Sequence, residues 1–230
     1  MEIHDNLIHI LENFPLCRDM TQTQIIELLK AGESEIKVWN RGEIIFREED
    51  HPEKLFVLIS GSIAISKDTL SGKRMLMMKV EIPGDLFGET YFLLDKMSYD
   101  MQAEAADKSV VLQLKHSIFS LHASCNPELA YVLQHNLMYI FAQKSYIMNK
   151  KLKILSAASI REKIVRYLVE CQGTDGELCG NMNREDMADY MNVTRPSLSR
   201  ELGKMQQEGI LKLVQHRIHV VNQEKLEEYL

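Results

Sequence analysis

The sequence predicts an α+β fold in three parts: a β-roll of the jelly-roll kind, one long helix, and a small helical domain that closes on a β-hairpin. Three observations carry this reading. Residues 36–114 alternate short apolar runs with turn signals. Residues 127–155 repeat apolar side chains at helical spacing, with no glycine or proline after Pro127. The last eighty residues read helix, short helix, helix, hairpin.

In the first part the turn signals are "NRGE", "EEDHPEK", "SGS", "KDTLSGK", "IPGD" and "ADKS". Between them lie runs of strand length: Ile44–Phe46, Leu55–Ile59, Ile63–Ile65, Met75–Val80 and Val110–Leu114. Many short strands at regular spacing predict a barrel, roll or sandwich. Gly42, Gly61, Gly72 and Gly84 stand where a turn disfavours a Cβ. A helix over Thr21–Lys30 precedes the strands, and a short one over Lys115–His122 follows them.

The long helix begins at Pro127, which fits a first helical turn, with Asn126 as cap. Leu129, Leu133, Leu137, Ile140, Ile147 and Ile154 share one broad face, flanked by Val132, Phe141, Met148 and Leu152. A helix of this length in a small protein packs against a partner copy or bridges domains. These six residues are therefore the expected homodimer seam, and a core helix of a monomer is the alternative. The expected boundaries are 1–124, 125–156 and 157–230.

Composition narrows the function. The chain of 230 residues carries net charge −6, with 45% apolar and 26% charged residues, an ordinary globular make-up. Residues 1–150 hold 15 Lys/Arg and 21 Asp/Glu, whereas 151–230 hold 12 of each. The acidic excess lies wholly in the first part, leaving the last eighty residues free to carry a local basic face. No run of eighteen apolar residues predicts a membrane span, and the N-terminus lacks the basic stretch of a secretory signal, so a cytoplasmic protein without membrane contact is expected. Cys17, Cys125, Cys171 and Cys179 do not have zinc or iron–sulfur spacing. An enzyme on a β-barrel core was the competing class. Neither a nucleophile–base–orienter set nor a Walker-type loop supports it, so no catalytic residue and no enzymatic activity is expected.

The third part carries the chemistry. "SIREKIVRYLVE" reads as a helix with Ile160, Ile164, Val165, Leu168 and Val169 inward, and "CQGTDGELCG" as a loop. "NREDMADYMNV" and "TRPSLSRELGKMQQEGIL" are two helices joined by a tight turn, and "KLVQHRIHVV" is a hairpin about Gln215–Arg217. A helix-turn-helix needs a small residue where its helices cross, a sharp turn and a second helix with an apolar inner face. Met187, Ala188 and Met191, then Val193, then Leu198, Leu202 and Met205 meet those needs. Thr194 caps the second helix and Pro196 sits in its first turn, where a missing N–H costs nothing. That leaves Arg195, Ser197, Ser199 and Arg200 outward at the end that enters a major groove. Arginine bridges guanine O6 and N7, hydroxyls bond phosphate or base edges, and Lys204 and the hairpin's His216 and Arg217 reach backbone. Thr194, Arg195, Ser197, Ser199, Arg200, Lys204 and Arg217 are thus the expected contacts to double-stranded DNA. Glu201 is expected to face solvent or pair locally.

On these residues Arg184–Leu213 resembles the winged helix-turn-helix of the cyclic-AMP receptor and fumarate–nitrate regulator (Crp/Fnr) family of bacterial transcription regulators. "TRPSLSR" matches its reading motif, and Arg195 and Arg200 match base-reading arginines. Pro196 stands where the family often has a base-reading glutamate, which alters the expected half-site. The resemblance covers nearly the whole chain. It implies a cyclic-nucleotide-binding-like, effector-sensing roll, a dimerisation helix, an inverted-repeat operator, contact with RNA polymerase, and reorientation through the joint near Leu155–Ser159.

"EIPGDLFGETYFLLDKMSYDMQAEA" is similar to the family's phosphate-binding cassette. Gly88 and Glu89 match its "GE" and would offer a backbone N–H to phosphate and an acceptor to ribose; an internal pair or cap is the alternative for Glu89. The Arg–Ser/Thr pair of nucleotide binders is replaced by Tyr99 and Asp100. An aspartate repels the phosphate that an arginine would hold, so cyclic AMP is disfavoured. Arg74 and Lys73 are candidate anion partners from a neighbouring hairpin. Only Cys17 lies in the N-terminal segment, so the family's iron–sulfur sensor is not supported, and neither is haem, for which His4, His9, His51, His116, His122 and His135 are candidates in name alone. An unidentified small effector, a sensor whose C-terminal domain contacts protein, and a degenerate roll without effector all remain open.

Overall fold

The computed structural model describes residues 2–68, 74–94, 98–118, 126–171, 183–214 and 217–230. The chain divides into two compact units, residues 1–141 and 142–230.

The first unit opens with helices α1 (Glu2–Leu11) and α2 (Gln22–Ala31), and Thr21 and Gln24 close a reciprocal capping box on α2. Eight strands follow: β1 (Glu35–Trp39), β2 (Ile44–Phe46), β3 (Lys54–Ser60), β4 (Ile63–Asp68), β5 (Arg74–Val80), β6 (Leu86–Phe87), β7 (Gln102–Ala105) and β8 (Ser109–Lys115). Helix α3 (Glu89–Leu93) lies between β6 and β7. The strands form two antiparallel sheets, in the order β1-β8-β3-β6 and β2-β7-β4-β5.

The strand patterns explain this layering. Side chains alternate across a strand, so β3 offers Phe56 and Leu58 to one face and Leu55 and Val57 to the other. Phe56 and Leu58 join Phe46, Ile63, Ile65, Val80, Phe87, Tyr99, Ala103, Ala105 and Val111 in the core within the roll. Leu55 and Val57 join Leu112 and Leu114 of β8 in a second core against residues of α1 and α2. A strand buried on both faces needs a continuous apolar run, and "LFVLI" is one. Gly61 turns β3 into β4 at φ +93°, where a Cβ would lie 2.6 Å from the Lys108 carbonyl oxygen, so only glycine fits.

Helix α4 runs over Pro127–Leu155, the bounds expected, and the Asn126 Oδ1 accepts from Leu129 N at 3.0 Å as its cap. The division between the two units falls inside α4. The residues expected to form the dimer seam divide between the two cores. Leu129, Leu133, Leu137 and Ile140 are buried in the core of the first unit, and Ile154 in that of the second. They pack within their own chain. Ile147 is exposed, but it stands apart from another apolar stripe. Tyr131, Met138 and Leu152, seven or fourteen residues apart, are 70%, 64% and 55% exposed.

The second unit continues with α5 (Ile160–Cys171), α6 (Arg184–Tyr190), α7 (Arg195–Gln207), the hairpin β9 (Leu211–Val214) and β10 (Arg217–Val220), and α8 (Gln223–Glu227). One core joins Ile154, Ile164, Val165 and Leu168 to Met187, Ala188, Met191, Leu198, Leu202, Met205, Ile210, Leu211 and Ile218. Half of the helix expected over Lys115–His122, the loop "CQGTDGELCG" after Cys171, Gly72 and the hairpin-tip residues Gln215 and His216 lie outside the described residues.

Candidate nucleic-acid interface and sensor site

Helices α6 and α7 form the helix-turn-helix. Asn183 caps α6, its Oδ1 accepting from Glu185 N at 2.8 Å and Asp186 N at 2.9 Å. Met191 ends the helix, and Asn192 takes the left-handed conformation at φ +50°, which asparagine tolerates better than most residues. Val193 N then donates to Ala188 O at 2.9 Å, closing the turn. Thr194 caps α7 by accepting from Ser197 N at 3.4 Å, and Pro196 lies in its first turn. Leu198, Leu202 and Met205 are buried beneath it.

This packing leaves one polar face outward. Thr194, Arg195, Ser199, Arg200 and Lys204 are exposed and Ser197 is half-buried. In the protein alone the arginines already have local partners. Arg195 lies 3.4 Å from the Glu185 carboxylate, and Arg200 donates to Pro196 O and Ser197 Oγ, each at 3.3 Å. These contacts are exposed and therefore readily exchanged for DNA. Arg217, exposed at the start of β10, pairs in register with Val214. Glu201 makes the local pair expected of it, with Lys204 at 3.6 Å, but it is only 17% exposed and pairs also with Arg161 of α5, forty residues away. No local sequence signal could have found that partner.

In the roll, Gly88 caps α3 at φ +72°, and a Cβ there would lie 3.3 Å from the rings of Phe46 and Phe56 and 3.5 Å from the Tyr99 hydroxyl. The Tyr99 side chain thus reaches the turn that the sequence comparison assigned to phosphate. Its ring stacks on Phe46 with centroids 3.9 Å apart at 14°, and meets Tyr91 edge-on at 5.1 Å. Phe56 stacks in turn on Phe87 at 5.1 Å. Tyr99 is 2% exposed, and among the described residues its hydroxyl has no hydrogen-bond partner. Burial, then the carboxylates of Asp50 and Glu89, push its pKa upward, so it stays neutral.

Glu89 is buried, whereas Asp100 is exposed and meets this aromatic set at Tyr91. It accepts from the Tyr91 hydroxyl and pairs with Lys67 at 3.2 Å, and these contacts hold its pKa below the usual carboxylate value. Arg74 opens β5, but its side chain lies outside the described residues, as does Lys73. The same aromatic set borders a groove of about 380 Å³, lined also by Trp39 and by the charged Glu35, Lys37, Glu53 and Lys54.

Among the described residues no group of three or more His, Cys, Asp or Glu is placed to hold a metal ion, and no helix is long and apolar enough to cross a membrane. Cys17 is buried, and burial pushes its thiol up to about 12.

Comparison with known proteins agrees with this architecture. Residues 36–120 match the family model described as a cyclic nucleotide-binding domain, and residues 162–229 match the Crp-like helix-turn-helix domain. The chain is 27% identical over 189 residues to the nitrogen fixation regulation protein FixK of Azorhizobium caulinodans, covering 78% of this chain and 72% of that protein. Among solved structures it is similar in fold to DNR from Pseudomonas aeruginosa, at TM-score 0.52 and 21% identity, with 100% of this chain and 99% of that one covered. It is likewise similar to a CooA variant from Carboxydothermus hydrogenoformans, at TM-score 0.60 and 16% identity, covering 92% and 91%. A nucleotide-binding-type roll and a helix-turn-helix on one chain define a DNA-binding regulator. The chain belongs to the Crp/Fnr family of bacterial transcription regulators.

Proposed function

We propose that this protein binds an inverted-repeat DNA operator as a homodimer and reads each half-site with α7. The observation that carries the reading is the outward polar face of α7 over its buried Leu198, Leu202 and Met205. Arg195 and Arg200 read base edges, Thr194, Ser197 and Ser199 bond phosphate or bases, and Lys204 and Arg217 hold backbone. Each arginine bidentate to guanine contributes about 1–3 kcal/mol of discrimination. Pro196 has no side-chain donor or acceptor, so one position of the half-site goes unread by it. The exposed stripe of Tyr131, Met138 and Leu152 on α4 is the partner surface. Two copies joined there present α7 to successive major grooves about 34 Å apart. The three-part organisation follows: sensor-type roll to 124, dimer helix over 125–156, DNA-binding domain from 157. RNA polymerase is a further partner by family analogy.

For the roll, the packing favours a site closed to a cyclic nucleotide. Tyr99 takes the place of the phosphate-binding arginine and fills it with a ring stacked on Phe46, while Asp100 adds a negative charge nearby. A small effector acting through this roll would enter by the groove beside Trp39 or displace Tyr99. A roll with no effector is the second reading, and the aromatic filling is what favours it.

Selection of bound duplexes from a random pool, with and without added cyclic AMP, tests both parts. The expected product is a palindrome with half-sites about 10–10.5 base pairs apart, unchanged by the nucleotide. A pool with no enriched sequence would sink the operator reading. A cyclic-AMP-dependent pool would sink the closed site.

A further inference from the structure

We propose that Arg161 is a positioning residue for DNA reading, one that sets the rotation of α7 about its own axis. The inference rests on the reading that α7 enters the groove. Arg161 sits in the first turn of α5 and is only 17% exposed. Its Nε donates to Glu201 at 2.6 Å, and its two terminal nitrogens donate to the two oxygens of Glu208 at 2.7 and 2.8 Å. One of those nitrogens also donates to the Tyr229 hydroxyl at 3.1 Å, and the guanidinium lies 5.0 Å from the centre of that ring. A single side chain thus holds two carboxylates seven residues apart on α7 and its end, together with the C-terminal segment. The first helix of the helix-turn-helix is tied to α5 as well: Lys163 Nζ donates to Met191 O, at the end of α6, at 3.0 Å.

The apolar seat of Leu198, Leu202 and Met205 attaches α7, but hydrophobic contact is non-directional and tolerates small rotations. A forked, charge-assisted arginine contact is directional. Glu201 directly follows Arg200, so the azimuth of one fixes that of the other. On a helix of about 5–6 Å outer radius, a rotation of about 30° moves a side-chain tip by about 3 Å, enough to break a base contact. The fork matters beyond its charge, because an ammonium is a point donor and cannot hold both carboxylates in this geometry.

The test uses the full-length protein, with a duplex recovered by selection and a scrambled duplex of the same length. Arg161→Lys and Glu208→Gln are the variants, with Glu208→Gln placed at a half-exposed carboxylate so that folding is spared. Positioning predicts that each variant binds the selected duplex at least tenfold more weakly. Binding to the scrambled duplex, the salt slope and the thermal midpoint stay close to wild type. Equal loss on both duplexes, a loss that tracks the thermal midpoint, or no loss would overturn the proposal. Arg195→Ala is measured beside them. If it abolishes preference while Arg161→Lys does not, the positioning role alone fails. If Arg195→Ala keeps full preference, the reading of α7 fails and the positioning role falls with it.

Discussion

Tyr99 and Phe46 stack at 3.9 Å, and this contact holds a buried aromatic ring beside the Gly88 turn. Among the described residues the Tyr99 hydroxyl is buried with no hydrogen-bond partner, a burden that a folded protein carries only when the ring is worth more. An unpaired buried hydroxyl costs about 1–3 kcal/mol. Tyr99→Phe keeps the ring and deletes that cost, so it is expected to stabilise the protein by about 1 kcal/mol. Tyr99→Ala opens a cavity and is expected to cost about 3–5 kcal/mol, by analogy with buried phenylalanine. Urea unfolding monitored by circular dichroism compares the two. A destabilised Tyr99→Phe would mean that the hydroxyl has a partner after all.

Helix α4 carries one buried and one exposed apolar face. Leu137 is 6% exposed and Met138 64% exposed, one residue and about 100° further round the helix. Leu137→Ala is expected to cost about 2–5 kcal/mol of stability in the first unit. Met138→Glu is expected to leave that stability nearly unchanged while shifting the protein from dimer to monomer in sedimentation equilibrium. Retention of the dimer by Met138→Glu would place the partner surface elsewhere.

The same helix shows what the sequence can and cannot disclose. Its bounds were legible because Asn126 and Pro127 carry a local start signal. The division between its buried and exposed apolar faces was not, because apolar residues occur nearly all round it: Tyr131, Val132 and Leu133, then Met138, Tyr139 and Ile140. Periodicity then picks out the best-filled face, and that face is used by the chain's own cores. Strands β2 to β5 and β8 were legible from alternation or continuous burial, but β1 has four exposed residues before Trp39 and gave little contrast. In the DNA-binding unit Thr194, Pro196 and the buried positions of α7 were readable because caps and helical faces are local features. The Arg161 network and the convergence of Phe46, Phe56, Phe87 and Tyr99 from separate strands were not, because they depend on tertiary topology.

Cys17 gives a pH signature of the first unit. Its thiol is 3% exposed and burial raises its pKa from 9.0 to about 12. The folded value lies above the unfolded one, so the contribution to stability is fully present below about pH 9 and is lost as pH rises toward 12. A shift of about three units corresponds to about 4 kcal/mol at the alkaline end. Denaturant midpoints are expected to fall across this window, and less steeply in Cys17→Ala. In a protein with the other three cysteines changed to serine, iodoacetamide should label Cys17 slowly until urea unfolds the chain. Rapid labelling of the folded protein at pH 8 would contradict the burial.

On the proposed function the outward residues of α7 divide into base readers and phosphate holders, and mutation should separate them. Arg195 and Arg200 are exposed and make only exposed local contacts, so replacing either by alanine should change stability by no more than about 0.5 kcal/mol. Each should instead lose about 1–3 kcal/mol of discrimination at one position of the half-site. Lys204, 65% exposed and 3.6 Å from Glu201, is placed further along the helix, where backbone is the nearer target. Lys204→Ala should therefore weaken selected and scrambled duplexes alike and reduce the salt slope by about one. Glu185 pairs with Arg195 and places a negative charge beside the reading end. Glu185→Gln removes that repulsion and frees the arginine, so association should quicken, most clearly at low salt. Fluorescence anisotropy over a range of salt concentrations reads all of these, and a Lys204→Ala variant that relaxes one base position would exchange the assigned roles.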